Sequence, residues 1–241
     1  MVTLKMAIIF LMEQIRTPFS LIWTIMSPTV LFFFLHFNEI ELHYGDTAWL
    51  GKQISWFVGY ISFSVVLFNY CLYLVGRRES GFIATFVHNM DGRLLFIRSQ
   101  LIASLIMSIL YVFFFILVVL TGFQANPDYQ IVMIILKSIY INAFMMVSLT
   151  FMASFRVTFQ TASTIYSVLI TVCMVSGIVS LKYNEGIVYW INQVNPIAIY
   201  STILQSDQEL SLMTIFFYSI MLIISIISAL TFKTEPVWSS Q

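Results

Sequence analysis

Charge is what this sequence has least of. Asp, Glu, Lys and Arg together make up only 9% of its 241 residues, against about 25% in a soluble domain. So few charges cannot cover a water-facing surface, and 60% of the chain is hydrophobic, 17% of it aromatic. A soluble domain is therefore excluded, and an integral membrane protein is expected. Formal net charge is zero, so no basic footprint for nucleic acid exists. Cysteine is also scarce. Cys71 and Cys173 both lie in apolar runs, which excludes a disulfide framework or a thiolate metal site and leaves two small core residues.

Other chemistry is missing too. The three histidines, His36, His43 and His88, fall at span ends or in loops, without the HExxH spacing, so no metal is expected. No Asp or Glu falls mid-span, which argues against a proton-driven carrier or an intramembrane protease. No catalytic residue is expected. The nearest thing to a phosphate cradle is GDTAWLGKQ, Gly45 to Gln53. Five residues separate its glycines instead of four, and Gln53 stands where a Ser or Thr would hold magnesium. No nucleotide or other cofactor is expected on this chain.

What is present is a series of long apolar runs. A helix needs about 20 mostly apolar residues to cross a bilayer, and six stretches qualify: residues 18–37, 54–75, 101–123, 131–155, 165–181 and 210–232. The expected class is an all-α integral membrane protein with six spans. The chain reads as one transmembrane unit over 1–241, with no soluble domain, repeat or linker.

Orientation follows from the basic residues. With both termini cytoplasmic, the inner side holds Lys5, Arg16, Arg77, Arg78, Arg93, Arg98, Arg156 and Lys233. The outer side holds Lys52 and Lys182, with Lys137 just inside the fourth span, as the positive-inside rule expects. Lys137 has two readings: outward snorkelling or contact with cargo. Asn69, Asn142, Ser62, Ser64, Thr171 and Ser176 lie within spans and read as helix glue. Pro28 predicts a kink in the first span.

Two segments fit neither span nor loop. Residues 1–17 carry Lys5, an apolar run and then Glu13, Gln14 and Arg16, with no small-residue cleavage site. They read as a helix lying along the inner interface, or as an extension of the first span. Residues 182–209 are too apolar for a solvated loop, and Asn195-Pro196 breaks any helix there. They read as two short helices dipping in from outside, packed on protein, or as a loose interfacial loop.

The stretch GRRESGFIATFVHNMDGRL, Gly76 to Leu94, lies between spans two and three, in a basic loop over 76–98. On a helix, Phe82, Ile83, Phe86, Val87 and Met90 form one apolar stripe, with Asp91-Gly92 as a turn at its end. Such a helix can lie among lipid headgroups or fill a groove on a partner, or its arginines simply enforce topology.

Six spans, an N-terminal interfacial helix, RRESG (Arg77 to Gly81) after span two and QVNPIAIY (Gln193 to Tyr200) before span six together resemble the permease subunit of a type-two ABC exporter. The resemblance covers nearly the whole chain as an arrangement. It implies that residues 79–90 form a coupling helix that docks on a separate ATP-hydrolysing subunit. Arg77, Arg78, Glu79, Gly81, Phe82, Ile83, Phe86, Val87 and Met90 are its implied docking residues, with Glu79 and Gly81 at the family's motif positions. Family members often carry a proline about ten residues after the acid, where this chain reads His88-Asn89-Met90.

The resemblance also implies two ATPase subunits that carry ATP and Mg, and a second permease copy or relative. Spans two and five would line the path, making Phe57, Tyr60, Phe63, Phe68, Tyr166, Ile170 and Met174 candidate wall residues. An aromatic and methionine wall suits amphipathic cargo, a peptide first, then lipid or drug, exported across a bacterial cell membrane. The rival expectations are a membrane anchoring or assembly protein, and an ion-coupled carrier or intramembrane enzyme.

Overall fold

The computed structural model describes residues 2–16, 18–83, 89–180, 185–205 and 212–232. Every regular element among them is helical. In chain order these are α1 (Val2–Ile15), α2 (Pro18–Leu35), a short 3-10 helix (Phe37–Glu39), α3 (Thr47–Ser64), a π-helical segment (Val65–Leu72) and α4 (Tyr73–Glu79). Then follow α5 (Met90–Gly122), α6 (Tyr129–Ser148), α7 (Thr150–Ser154), α8 (Phe159–Ser180), α9 (Gly186–Val194), α10 (Pro196–Gln205) and α11 (Leu212–Leu230). Four runs are long and apolar enough to cross a bilayer: Thr47–Glu79, Met90–Gly122, Tyr129–Ser154 and Phe159–Val179. Shorter apolar helices occupy Thr24–Leu35 and Thr214–Leu230. The described residues are thus all-α, with four helices long and apolar enough to cross a membrane.

Acidic caps start two of the long helices. Asp46 accepts from the Trp49 amide at 3.0 Å and opens α3. Asp128 accepts from the Ile131 amide at 3.1 Å and opens α6. Its other oxygen takes the Thr47 hydroxyl at 2.6 Å, so one carboxylate ties both helix starts together. That hydroxyl bond, with the amides of the cap, holds the Asp128 carboxyl below its usual 3.8. A depressed carboxyl contributes stability that is present above its ordinary value and lost as pH falls through the lowered one. Asp128→Ala is expected to lower stability by about 1–2 kcal/mol. Thermal unfolding in detergent should show that loss at pH 7, shrinking below about pH 4 as the native carboxylate protonates.

Aromatic rings fill the bundle near those caps. Phe32 of α2 lies with its centroid 5.0 Å from Phe57 of α3 and 5.7 Å from Phe115 of α5. Phe123 joins at 5.9 Å from Phe32. Edge-on and offset pairs at these separations are favourable beyond the area they bury. Pro28 sits inside α2, where Thr29 Oγ1 donates to the Ile25 carbonyl at 2.6 Å.

The π-helical segment lies in the middle of the α3–α4 rod. There the Asn69 carbonyl faces polar side chains of neighbouring helices. It accepts from Gln100 Nε2 at 2.6 Å and Ser104 Oγ at 3.0 Å on α5, and from Gln14 Nε2 on α1 at 3.5 Å. Its side-chain amide reaches the Tyr111 hydroxyl at 3.4 Å. A widened turn of this kind frees backbone carbonyls for side chains and commonly marks functional positions.

α1 is a helix in its own right. It packs along the first turns of α5, with Phe10 edge-on to Phe96 at 5.4 Å and Ser99 Oγ donating to the Thr3 carbonyl at 3.2 Å. It does not extend α2. α9 and α10 break at Asn195-Pro196, where the sequence places the break. Asn195 Nδ2 donates to the Cys173 carbonyl at 2.9 Å and Ser176 Oγ at 3.0 Å, fixing the corner to α8. Its Oδ1 accepts from the Ile197 amide at 3.0 Å and so caps α10.

α10 lies flat on α3. A Cβ built at Gly59 would stand 2.8 Å from Tyr200 Cβ and 2.9 Å from the Ile197 carbonyl oxygen, so only glycine admits this approach. The Tyr200 hydroxyl donates to Asn142 Oδ1, and Asn142 Nδ2 donates to Ser108 Oγ at 2.8 Å. All three residues are buried. This chain of bonds joins α10, α6 and α5, and a satisfied buried network of this kind specifies one arrangement.

Candidate functional site

The candidate site is the connection from α4 to α5. α4 ends because Ser80 and Gly81 turn the chain: the Ser80 amide donates to the Gly76 carbonyl at 3.0 Å, and the Gly81 amide to that of Arg78 at 3.0 Å. Gly81 has φ +73°, a left-handed conformation that glycine adopts freely. Helical structure resumes at Phe82 and Ile83. Phe86 and Val87, the centre of the expected stripe, lie outside the described residues.

The continuous helix expected over 79–90 is therefore corrected at both ends. Glu79 closes α4, and the turn at Gly81 intervenes. Met90 opens α5 behind an Asn89 cap, whose Oδ1 accepts from the Gly92 amide at 2.8 Å. Asp91-Gly92, expected as a turn, forms the first turn of that helix. Ile83 is buried in the core instead of lining an outward stripe. Phe82 is partly buried, and Met90 is exposed.

The two arginines have separate roles. The Arg77 guanidinium pairs with Glu13 of α1, donates to the Tyr73 hydroxyl at 2.9 Å, and lies 4.9 Å from the Phe82 ring centre. Tyr73 in turn donates to Glu13. Burial alone would raise the Glu13 carboxyl. The Tyr73 bond and the bond and charge of Arg77 outweigh it, and the carboxyl sits below its ordinary 4.5. The pairing holds near neutral pH and is lost as pH falls below that value. Glu13, Gln14, Tyr73, Arg77 and Phe159 border a pocket of about 320 Å³ here.

Arg78, expected at the docking surface, is instead only 1% exposed. It donates to the Ala153 carbonyl at 3.1 Å and the Val157 carbonyl at 2.9 Å, bracing the end of α7 against α4. Its Nε lies 3.5 Å from Glu79 Oε1. A side chain used this way is not available to a partner. The sequence offers no sign of it, since adjacent arginines look alike until the rotation of the helix is known. Glu13 and Tyr73 also went unassigned. Glu13 carried one available signal, as an acid between Lys5 and Arg16 on the N-terminal segment.

The candidate wall residues divide by burial. Phe57, Phe63, Tyr166 and Ile170 face the interior of this chain, and the Tyr166 hydroxyl donates to the Met152 carbonyl at 3.0 Å. Tyr60, Phe68 and Met174 keep part of their surface open. Among the described residues no three His, Cys, Asp or Glu side chains converge as metal ligands would. In the Gly45–Gln53 stretch, α3 begins at Thr47, and Lys52 sits beyond its first turn. No known protein-family model matches this chain.

Proposed function

We propose that this chain is the membrane permease half of an ATP-driven exporter of the type-two ABC kind. The observation that carries the reading is the connection between the two longest helices. Residues 80–89 join two rods of 33 residues each, at the end where Lys5, Arg16, Arg77, Arg93, Arg98 and Arg156 collect. The second half of the broken pair, α10, packs on the α3–α4 rod, with Gln205 reaching the Lys52 carbonyl near its other end. A basic end belongs on the cytoplasmic side, so both termini lie there, and α2 and α11 complete six spans. α9 and α10 then dip in from outside, where irregular backbone is tolerated because it packs on protein.

In this reading two ATPase chains bind ATP and Mg, and each seats against the 80–89 connection of one permease. Their closure pushes that connection. The rods carry the motion across the bilayer and open a path toward the outside between paired permeases. Tyr60, Phe68 and Met174 are the wall residues with surface to offer cargo. Their mix of rings and thioether favours an amphipathic peptide in a bacterial cell membrane.

The test uses the full chain co-expressed with its candidate ATPase. The two should co-purify with ATP hydrolysis. Phe86→Asp should reduce the co-purified activity at least about tenfold, the effect of losing about 1.4 kcal/mol of docking energy, while membrane insertion is unchanged. Unchanged binding by the variant, or a wild-type chain that co-purifies with no ATPase, rejects the reading.

A further inference from the structure

A second site lies near the opposite end of the α3–α4 rod. A crevice of about 470 Å³ opens between α3, α6 and the end of α10. Its polar lining is Lys52, Ser55, Tyr129, Gln130, Lys137 and Gln205, and among the described residues no carboxylate borders it. Lys137 lies two turns into α6, at a depth where an ammonium group without an anion is unfavourable. Its hydrogen bond within the described residues is a long one, 3.5 Å to the Leu204 carbonyl. Of the described acids near this end, Asp46 caps α3, and Asp128 caps α6 while holding Thr47. Gly51 keeps the floor open beside the Gln130 side chain, which a Cβ there would approach to 3.7 Å.

We propose that this crevice binds a phosphate-type oxyanion, held between the Lys52 and Lys137 ammonium groups. Two cations from different helices, with amide and phenol donors around them, approach an occupant from several sides. That suits a tetrahedral oxyanion better than a planar carboxylate, and lysine serves phosphate as a point charge. The anion comes either from an anionic lipid whose headgroup enters at the membrane surface or from soluble phosphate. The proposal needs only that the chain be embedded in a bilayer, not that it exports anything.

The experiment compares full-length wild type, Lys137→Gln, Lys137→Arg and the Lys52→Gln/Lys137→Gln double variant. Phosphatidylglycerol binding is read by native mass spectrometry and by thermal midpoint in nanodiscs, against phosphatidylcholine nanodiscs. A parallel arm titrates inorganic phosphate in neutral detergent against chloride of equal ionic strength. Wild type is expected to be stabilised in one arm, which names the source. Lys137→Gln should bind about tenfold more weakly, as loss of one charge-assisted bond implies, the double variant weaker still, and Lys137→Arg should retain binding and show that the fold is intact. Equal responses from wild type and the double variant overturn the proposal. So does an internal pairing with Asp207 or Glu209, which lie outside the described residues. In that case wild type ignores both anions, and a response emerges only in Asp207→Asn/Glu209→Asn.

Discussion

Arg78→Met is expected to destabilise the isolated chain by about 3 kcal/mol, in the range for breaking up a buried charged group and its partners. The guanidinium leaves two carbonyls, of Ala153 and Val157, without their donor. Each orphaned group costs about 1–3 kcal/mol. Arg78→Lys should recover little, because one ammonium cannot reproduce the planar fork that reaches both carbonyls. Arg77→Met next door should cost about 1 kcal/mol or less, since its pairing with Glu13 is partly open to solvent. Thermal unfolding in detergent of the chain without any partner separates the two. Should Arg78→Met unfold like wild type yet fail to hold a partner, Arg78 faces outward and the internal brace is wrong.

Gly59→Ala is expected to cost about 1–3 kcal/mol, the range for forcing extra atoms into a packed core. Its new methyl would meet backbone at Ile197 and the Cβ of Tyr200, neither of which can swing aside. α10 must then lift from α3, which strains the bond from Tyr200 to Asn142. Gly59→Val should go further and expose α10 to proteolysis. Gly51→Ala supplies the control on the same helix. Its methyl meets only ordinary contacts at 3.7 Å, and alanine is the better helix former by about 1 kcal/mol, so that variant should be neutral or slightly more stable. A Gly59→Ala protein as stable as wild type would show that α10 is only loosely laid on the rod.

The contrast between these positions explains what the sequence could and could not disclose. Helical class and long apolar runs are carried by composition, which every residue reports. The break between α9 and α10 was legible because Asn195-Pro196 acts locally, through a missing donor and a steric limit. The π-helical segment was not, since VVLFNYCL reads as one more apolar stretch and the widening depends on what Gln100 and Ser104 offer from α5. The bounds of the loop helix differ from the periodicity for a related reason. Periodicity linked Phe82 to Met90, yet Gly81 and Asn89 decide the boundaries by dihedral angle and capping. Asn89 three residues before Gly92 is a cap signal in the sequence, and it competes there with the turn signal of Asp91-Gly92. Arg78 lay beyond reach altogether, because its role depends on where α7 ends.

α1 has a mechanical consequence. At about 1.5 Å per residue, the 33-residue α5 is about 50 Å long, while the hydrocarbon slab is about 30 Å thick. Its charged beginning, with Asp91, Arg93 and Arg98, therefore stands clear of the lipid tails as a stalk. α1 lies against that stalk, through Phe10 on Phe96 and Thr3 on Ser99, and grips the neighbouring rod through Glu13. A splinted stalk does not flex at its root. In the proposed exporter, a thrust delivered to its tip would emerge as rotation of the whole lever instead of dissipating as bending.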